Sequence, residues 1–321
     1  MLRTDVVSAL AAARSFLLES QEEDGLWRDY DLEPGSSEAW TTACVGCALL
    51  PGRGPSIAEP ALRRAAETLH ELRRPAGWGY NRRTAADADS TAWTLRLLAA
   101  LGDLRDVPAL SLLESFLGPG GAARTFRDPE RFGTWSGEHP DVTPLVGLAL
   151  IAAGAPREVV RRVRSATLAA RSPGAGWTAF WWACDAYATA RSLELLAASG
   201  GVPAAVRREV AAGLALLPEP GSPFETAQLL AIAVRLGAET RATAHRFTRC
   251  LLAQRSGDGG WPASPVLLVP DQRDASRASI HADGRRLLST AIAVSALKSW
   301  LKRSAGEASL HRSPEASIVA R

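Results

Sequence analysis

Apolar residues recur along most of the chain with the spacing of an α-helix. Stretches such as "EPALRRAAETLHELRR" and "PREVVRRVRSATLAARS" place apolar residues on one face and charges on the other, which is typical of amphipathic helices that pack on a core. Others, such as "DVTPLVGLALIAAG", are apolar almost throughout. Alternating strand patterns are nearly absent. The pattern therefore predicts an all-α protein.

Loops that contain Gly and Trp separate these helices. They read "QEEDGLW", "PAGWGY", "FGTWSG", "PGAGWTAFWW" and "SGDGGWP". A Thr that opens an apolar helix follows each of them, and a further copy, "FETAQLLAIAVRLG", has lost its loop. These threonines recur about every fifty residues, and they are Thr42, Thr91, Thr143, Thr189, Thr226 and Thr290.

A repeat of this length accommodates one helical hairpin and a loop, used six times. Such a hairpin buries its apolar face only against its neighbours, so the copies stack. We predict that they close into a single-domain (α/α)6 toroid over residues 1–302, with inner helices around a central lumen. The remaining segment, 303–321, lacks periodicity and is expected to be disordered.

Composition excludes several classes of function. The 321 residues are 46% hydrophobic and carry a net charge of only +3, which argues against nucleic acid as a partner. No apolar run is long enough to span a bilayer. The four Cys residues show no pairing pattern, which favours a reduced, cytoplasmic protein. The exposed-looking apolar loop "PASPVLLVP" leaves a peripheral membrane contact open.

Two carboxylates, Asp87 and Asp89, stand one residue apart in "DADSTAW", just before an apolar helix. A helix N-cap needs only one of them. At a loop-to-helix junction both can face one cavity, where burial and like charge keep one of them protonated. A retained proton is what a general acid needs. For Asp141, which aligns with Asp89 in the next copy, the favoured interpretation is an N-cap.

Two levels of the repeat gather further candidates. The position four before the Thr is polar, and there His139 could hydrogen-bond Asp89. The aromatic rings are suited to stabilising a cation where water is excluded. They are Trp40, Trp93, Trp181, Trp182, Tyr187 and Phe224. Three further carboxylates near this level could act as a base: Asp141, Asp185 and Glu38.

These residues resemble a known superfamily. "QEEDGLW" and "QRSGDGGW" are similar to the Gln-Trp repeat of squalene–hopene and oxidosqualene cyclases, and "DADSTA" resembles the acid motif of class II terpene cyclases. The resemblance implies that Asp89 protonates a terminal alkene and that Asp87 supports it. Ser90 stands where the family has a further Asp. The chain is long enough for one toroid only, so it looks like a monodomain class II cyclase.

The predicted function is proton-initiated cyclisation of a hydrophobic linear isoprenoid or a prenylated aromatic through carbocations. No metal or cofactor is required, although Mg²⁺ could assist if the substrate were a diphosphate, with Arg82, Arg83, Arg285 and Arg286 as candidate cations. Two alternatives remain. One is a zinc-dependent enzyme similar to the β-subunits of protein prenyltransferases, which share the fold, and the other is a toroid that only binds. The oligomeric state stays open.

Overall fold

The computed structural model describes residues 1–51, 57–172 and 176–310. Thirteen α-helices lie in these ranges, with two 3₁₀ turns at Gly133–Ser136 and Ala238–Thr240. The helices are α1 (Leu2–Glu19), α2 (Ala39–Leu49), α3 (Glu59–Glu71), α4 (Ala88–Leu101), α5 (Ala109–Glu114), α6 (Pro129–Phe132), α7 (Thr143–Ala152), α8 (Arg157–Ala169), α9 (Ala186–Ala198), α10 (Ala204–Leu216), α11 (Pro223–Leu236), α12 (Arg241–Ala253) and α13 (Leu287–Leu310).

Six of these helices form an inner ring. Helices α2, α4, α7, α9, α11 and α13 contact one another in chain order, and α13 closes the ring on α2. Helices α1, α3, α5, α8, α10 and α12 pack outside it. The inner helices are buried nearly all round, whereas the outer ones bury a single stripe. The predicted all-α toroid is thus confirmed. Within the described ranges, no helix is long and apolar enough to cross a bilayer.

The same hydrogen bond opens every inner helix. The backbone N–H of each repeat threonine donates to the carbonyl four residues earlier at 3.0 to 3.1 Å. The accepting residues are Glu38, Asp87, His139, Asp185, Ser222 and Arg286. The register of the six copies taken from the sequence is therefore the register of the fold.

The Gly-Trp loops join each outer helix to the next inner one. Trp78 shows how: its backbone N–H donates to Thr91 Oγ1 at 3.0 Å, and its indole Nε1 donates to the carbonyl of Leu69 at 2.6 Å. Gly77 has a φ of +110°, and a Cβ there would collide with Thr91. Three other tryptophans repeat this pair of bonds: Trp27, Trp177 and Trp261.

The third copy departs from the sequence prediction. We expected "FGTWSG" to be its Gly-Trp loop, but Ala123 makes the bond to Thr143 Oγ1, at 2.9 Å. Trp135 instead donates its Nε1 to the carbonyl of Pro270 at 2.7 Å. The loop that makes the repeat hydrogen bond in this copy lies earlier, at residues 118–123, and contains no Trp.

Two short antiparallel hairpins were not predicted. Strands β1 (Asp29–Leu32) and β2 (Gly35–Ser37) form one, and β3 (Pro265–Pro270) and β4 (Ala278–Ala282) form the other. The "PASPVLLVP" segment is therefore mostly a strand, and the expected exposed loop is wrong. Val266 and Leu267 are buried, because the backbone of β3 bonds to residues 181–183.

Helix α13 extends past residue 302. Leu301 packs against the core, and Arg303 Nη1 donates to the carbonyl of Val234 at 3.0 Å. These contacts hold the helix on α11, so the expected disorder does not begin at 303. The rest of the predicted tail, 311–321, lies outside the described residues.

Candidate active site

The acidic pair lies at the start of α4, and its two members have different surroundings. Asp87 is the N-cap: it accepts hydrogen bonds from the Ser90 backbone N–H at 2.7 Å and from Ser90 Oγ at 2.8 Å. Asp89 lies in the first turn of the helix, and no hydrogen bond among the described residues reaches its carboxyl. Asp89 is therefore not the helix cap, and Asp87 is.

Asp89 is surrounded by protein and keeps some accessible surface. Burial raises its pKa well above the usual value, and the charges of Asp87 and Asp141 raise it further. The positive end of the α4 dipole opposes this, so burial is the larger effect. The arrangement favours a proton on Asp89 at neutral pH.

Asp141 does not cap α7, contrary to the sequence interpretation. Helix α7 has Val142 as its N-cap and no side-chain cap bond. The carboxyl of Asp141 turns instead to the loop before α9, where its Oδ2 accepts the backbone N–H groups of Phe180 at 3.0 Å and Trp181 at 2.8 Å. It is fully buried, and burial raises its pKa to about 6.

His139 does not hydrogen-bond Asp89, so that prediction is wrong. Its ring stacks on Phe180 with centroids 3.7 Å apart, and no described residue hydrogen-bonds its Nε2. Burial lowers its pKa to about 4, against the opposing effect of backbone groups at Trp135 and Thr134. A neutral imidazole packed on the loop supports the ring of Phe180, not the acid.

Four of the six predicted aromatic residues form one cluster at the level of Asp89. The Trp182 ring stacks on Tyr187 at 4.3 Å and on Phe224 at 4.8 Å between centroids, and it lies 5.8 Å from Trp40. Because rings present a negative face, several faces around one space can stabilise a carbocation. Trp93 lies one turn below Asp89 and donates from Nε1 to the Tyr187 hydroxyl at 3.3 Å.

Trp181 lies apart from that cluster. It packs edge-on against Trp135 at 5.3 Å, and its Nε1 donates to Thr125 Oγ1 at 2.9 Å. Together with the two amide bonds to Asp141, this contact anchors the loop that carries Trp182. Trp181 therefore holds the loop.

Two of the predicted bases are placed elsewhere. Glu38 accepts from Arg82 Nε at 2.8 Å and from Arg28 Nη2 at 3.1 Å; burial opposes its ionisation, but these bonds prevail and lower its pKa. Asp185 is exposed, and its Oδ1 accepts the Ala179 N–H at 2.9 Å. Neither carboxylate belongs to the acid site.

Charged side chains fill the far end of the lumen, which the sequence analysis did not anticipate. Arg96 and Arg191 both bind Glu194, at 2.7 and 2.5 Å, and Arg235 adds a third positive charge. Burial opposes ionisation of Glu194, but the arginines outweigh it and lower its pKa to about 2. The sequence did carry a signal for Arg96: Asp89, Trp93 and Arg96 have the i, i+4, i+7 spacing that places them on one face of α4.

A second buried acidic pair was also missed. Asp29 accepts the N–H groups of Arg285 at 3.0 Å and Leu287 at 2.8 Å, and so satisfies the start of α13. Asp283 accepts those of Ser264 at 2.6 Å and Ser289 at 2.7 Å. Both carboxyls are buried where the last repeat meets the first. The bonds of Asp29 join the two repeats, whereas those of Asp283 hold the last repeat together. Nothing in the local sequence distinguishes them from loop residues.

No group of three His, Cys, Asp or Glu side chains within the described residues could hold a metal ion. The remaining predicted site, at Asp89, is a protein-only arrangement: one protonated carboxyl, one bonded carboxylate and a set of aromatic faces. This combination can donate a proton to an apolar substrate and stabilise the resulting cation.

Solved structures of a type II terpene cyclase are similar to this chain. The type II terpene cyclase MstE from Scytonema has 28% sequence identity and a TM-score of 0.83, over 94% of this chain and 99% of that one. An MstE variant in complex with geranylgeranyl dihydroxybenzoate gives a TM-score of 0.82 at 28% identity and the same coverage. This chain resembles the monodomain type II terpene cyclases. The predicted resemblance to monodomain class II terpene cyclases is thereby confirmed. The alternatives, a prenyltransferase-like enzyme and a toroid that only binds, are not favoured.

The fold also matches the ent-copalyl diphosphate synthase from Streptomyces platensis. That match has a TM-score of 0.60 and 19% identity over 83% of this chain and 50% of that chain, so it speaks for the fold alone. No protein-family model matches the sequence, and no curated protein matches it.

Proposed function

We propose that the protein is a monodomain class II terpene cyclase in which Asp89 starts the reaction. The observation that carries this proposal is the difference between two neighbouring carboxyls. Asp87 is bonded by Ser90, whereas Asp89 is half-buried and accepts no hydrogen bond from the described residues. A protonated carboxyl next to a carboxylate is a general acid that needs no metal for initiation.

Asp89 would transfer its proton to the terminal carbon–carbon double bond of a linear isoprenoid. The new C–H bond leaves a tertiary carbocation, which the next double bond attacks, closing a ring. Stacked Trp182, Tyr187 and Phe224 would stabilise the cation, an interaction of about 2 kcal/mol at a desolvated site. The last cation loses a proton or is captured by a substrate hydroxyl, so the product is an isomer of the substrate.

A prenylated aromatic is the substrate class that we favour over a diphosphate. Three of the four candidate arginines have acidic partners: Arg82 pairs with Glu38, Arg285 with Glu22 at 2.5 Å and Arg286 with Asp258 at 2.6 Å. A diphosphate would have to break these pairs. An MstE variant binds geranylgeranyl dihydroxybenzoate, a prenylated aromatic, which supports this choice. Mg²⁺ would matter only for a diphosphate.

The test is turnover in D₂O, followed by mass spectrometry. The panel contains geranylgeranyl dihydroxybenzoate, farnesyl and geranylgeranyl diphosphates, and squalene. We expect a product isomeric with its substrate and heavier by one deuterium from the wild type, and no product from Asp89→Asn. The matched control is Asp185→Asn, an exposed carboxylate at the equivalent end of α9, which should keep turnover. Unaltered turnover in Asp89→Asn would refute the proposal.

A further inference from the structure

The carboxyl of Asp141 links two parts of the site that are separate in sequence. Its Oδ2 holds the aromatic loop, which we define as residues 177–185, through the N–H groups of Phe180 and Trp181. Its Oδ1 is buried and has no hydrogen-bond partner among the described residues. Helix capping does not explain this arrangement, because Asp141 makes no cap hydrogen bond to α7.

The charge of Asp141 acts on Asp89. Two amide donors stabilise the ionised form of Asp141 while burial opposes it, and the charge that remains raises the pKa of Asp89. If the loop were to lift, water would reach both carboxyls and screen them from each other. Asp89 would then titrate like an ordinary carboxyl. Seating of the loop and protonation of Asp89 are therefore thermodynamically coupled.

The other groups that face Asp89 do not supply a competing charge. Cys44 on α2 and Tyr187 on α9 interact with it, but burial raises the pKa of both, so they are neutral in the working range. From α11 and α13 the corresponding residues are Phe224 and Leu288. His139, which lies against Phe180, is neutral. Asp87 and Asp141 are the charges that matter.

We propose that Asp141 is a positioning residue that couples the seating of the aromatic loop to retention of the proton by Asp89. The acid is then loaded only when Trp182 lies in the ring cluster and water is excluded. This inference rests on the proposed function for its purpose, but the coupling itself is a property of the protein alone. It can be measured without any substrate.

The measurement is an infrared titration of the substrate-free protein. The band of the protonated Asp89 carboxyl is identified by its loss in Asp89→Asn, and its midpoint is then followed with pH. Asp141→Asn keeps an oxygen to accept from the loop but removes the charge. We expect the Asp89 midpoint to fall by about one pH unit, which is a tenfold change in its proton dissociation constant. An unchanged midpoint would overturn the proposal.

Asp185→Asn is the matched control. Asp185 also bonds the loop, through the Ala179 N–H, but it is exposed and does not contribute to the pKa of Asp89. Asparagine keeps an oxygen that can accept this bond, so the variant removes a charge and leaves the loop seated, and the Asp89 midpoint should stay in place. An equal fall in both variants would mean that loosening the loop, and not the charge of Asp141, sets the pKa.

A second variant guards against misfolding of Asp141→Asn. Thr125→Val removes the 2.9 Å bond to Trp181 Nε1 from the other side of the loop. Because coupling is reciprocal, a looser loop should lower the Asp89 midpoint in the same direction and change Trp fluorescence. Changed fluorescence with an unchanged midpoint would contradict the coupling. Failure of the D₂O experiment alone would sink the proposed function and leave this result standing.

Discussion

Ser90 donates two hydrogen bonds to Asp87 and none to Asp89. This asymmetry makes the two neighbouring carboxyls chemically different, because the bonded one is stabilised as an anion and the other is not. Ser90, which stands where the family motif has an Asp, thus stabilises the ionised form of Asp87. The proton is left where it can reach a substrate.

Ser90→Ala should lower the pH up to which Asp89 keeps its proton, without unfolding the protein. It removes the hydroxyl bond to Asp87 and keeps the backbone one, so the pKa of Asp87 rises and its charge at neutral pH falls. With less negative charge beside it, Asp89 has a lower pKa and holds its proton less often. We expect the pH at which turnover is lost to fall by up to about one unit, measured as kcat against pH in parallel with the melting temperature.

Ser90→Thr is the conservative partner of that variant, since its hydroxyl can reach Asp87 in the same way. It should restore most of the pH range over which turnover persists. An unchanged pH profile in Ser90→Ala would show that the backbone bond alone keeps Asp87 ionised.

Trp182→Leu should alter products as well as rate. Its ring touches both Tyr187 and Phe224, and loss of a desolvated cation–π contact of about 2 kcal/mol corresponds to a fall of roughly thirtyfold in turnover. Cations that are less stabilised lose a proton early, so partly cyclised products should accumulate. Product profiles by gas chromatography check this.

Trp300→Leu controls for the loss of a large indole. Trp300 is buried on α13, where it packs edge-on against His245, and it does not join the ring cluster. Its replacement should cost stability but leave the product profile unchanged. The same partly cyclised products in both variants would argue that general loosening, not cation stabilisation, is the cause.

The fold was predictable because its signal is periodic and repeated. Six copies of one Thr-opened helix give six chances to find the register, and the hydrogen bond from Thr to the residue four before it recurs in all of them. The assignment of the third loop was wrong because "FGTWSG" has the Gly-Trp pattern, whereas the hydrogen bond to Thr143 Oγ1 comes from the backbone N–H of Ala123. Local spacing could not tell the two apart.

The site was predictable only where it is local in sequence. Asp87, Ser90 and Asp89 share one helix start, so their relation could be read directly. The partners of Asp141 lie about forty residues away in an irregular loop, and no periodicity specifies that contact. For Glu38 the sequence showed the level in the toroid but not the two arginines that neutralise it, Arg28 and Arg82.

Thr91→Val should show what the repeat hydrogen bond contributes to stability. Thr91 Oγ1 accepts from the buried N–H of Trp78, and valine has nearly the same shape but cannot accept. A buried donor left unsatisfied costs about 1–3 kcal/mol. Thr226→Val is the matched control, because in the copy without a Gly-Trp loop this hydroxyl bonds the Ser222 carbonyl in its own helix. Urea unfolding should find the smaller loss in Thr226→Val; equal losses would refute the role of the loop bond.

Asp283 should make the protein less stable as the pH rises. Burial raises its pKa to about 7, against the bonds from Ser264 and Ser289, so the folded state binds a proton that the unfolded state releases near pH 4. Its contribution is complete below about pH 4 and is lost as the pH rises through about 7. Three pKa units correspond to about 4 kcal/mol.

Buried Asp87 and Asp141, with pKa values raised to about 6, act in the same direction. The free energy of unfolding should therefore be higher at about pH 5 than at about pH 8, as measured by urea denaturation. Asp283→Asn cannot ionise, so it should shrink the difference between the two pH values by a few kcal/mol, even if the amide fits less well and lowers stability at both. A difference as large as in the wild type would show that Asp283 is already ionised in the folded protein, with its N–H donors outweighing burial.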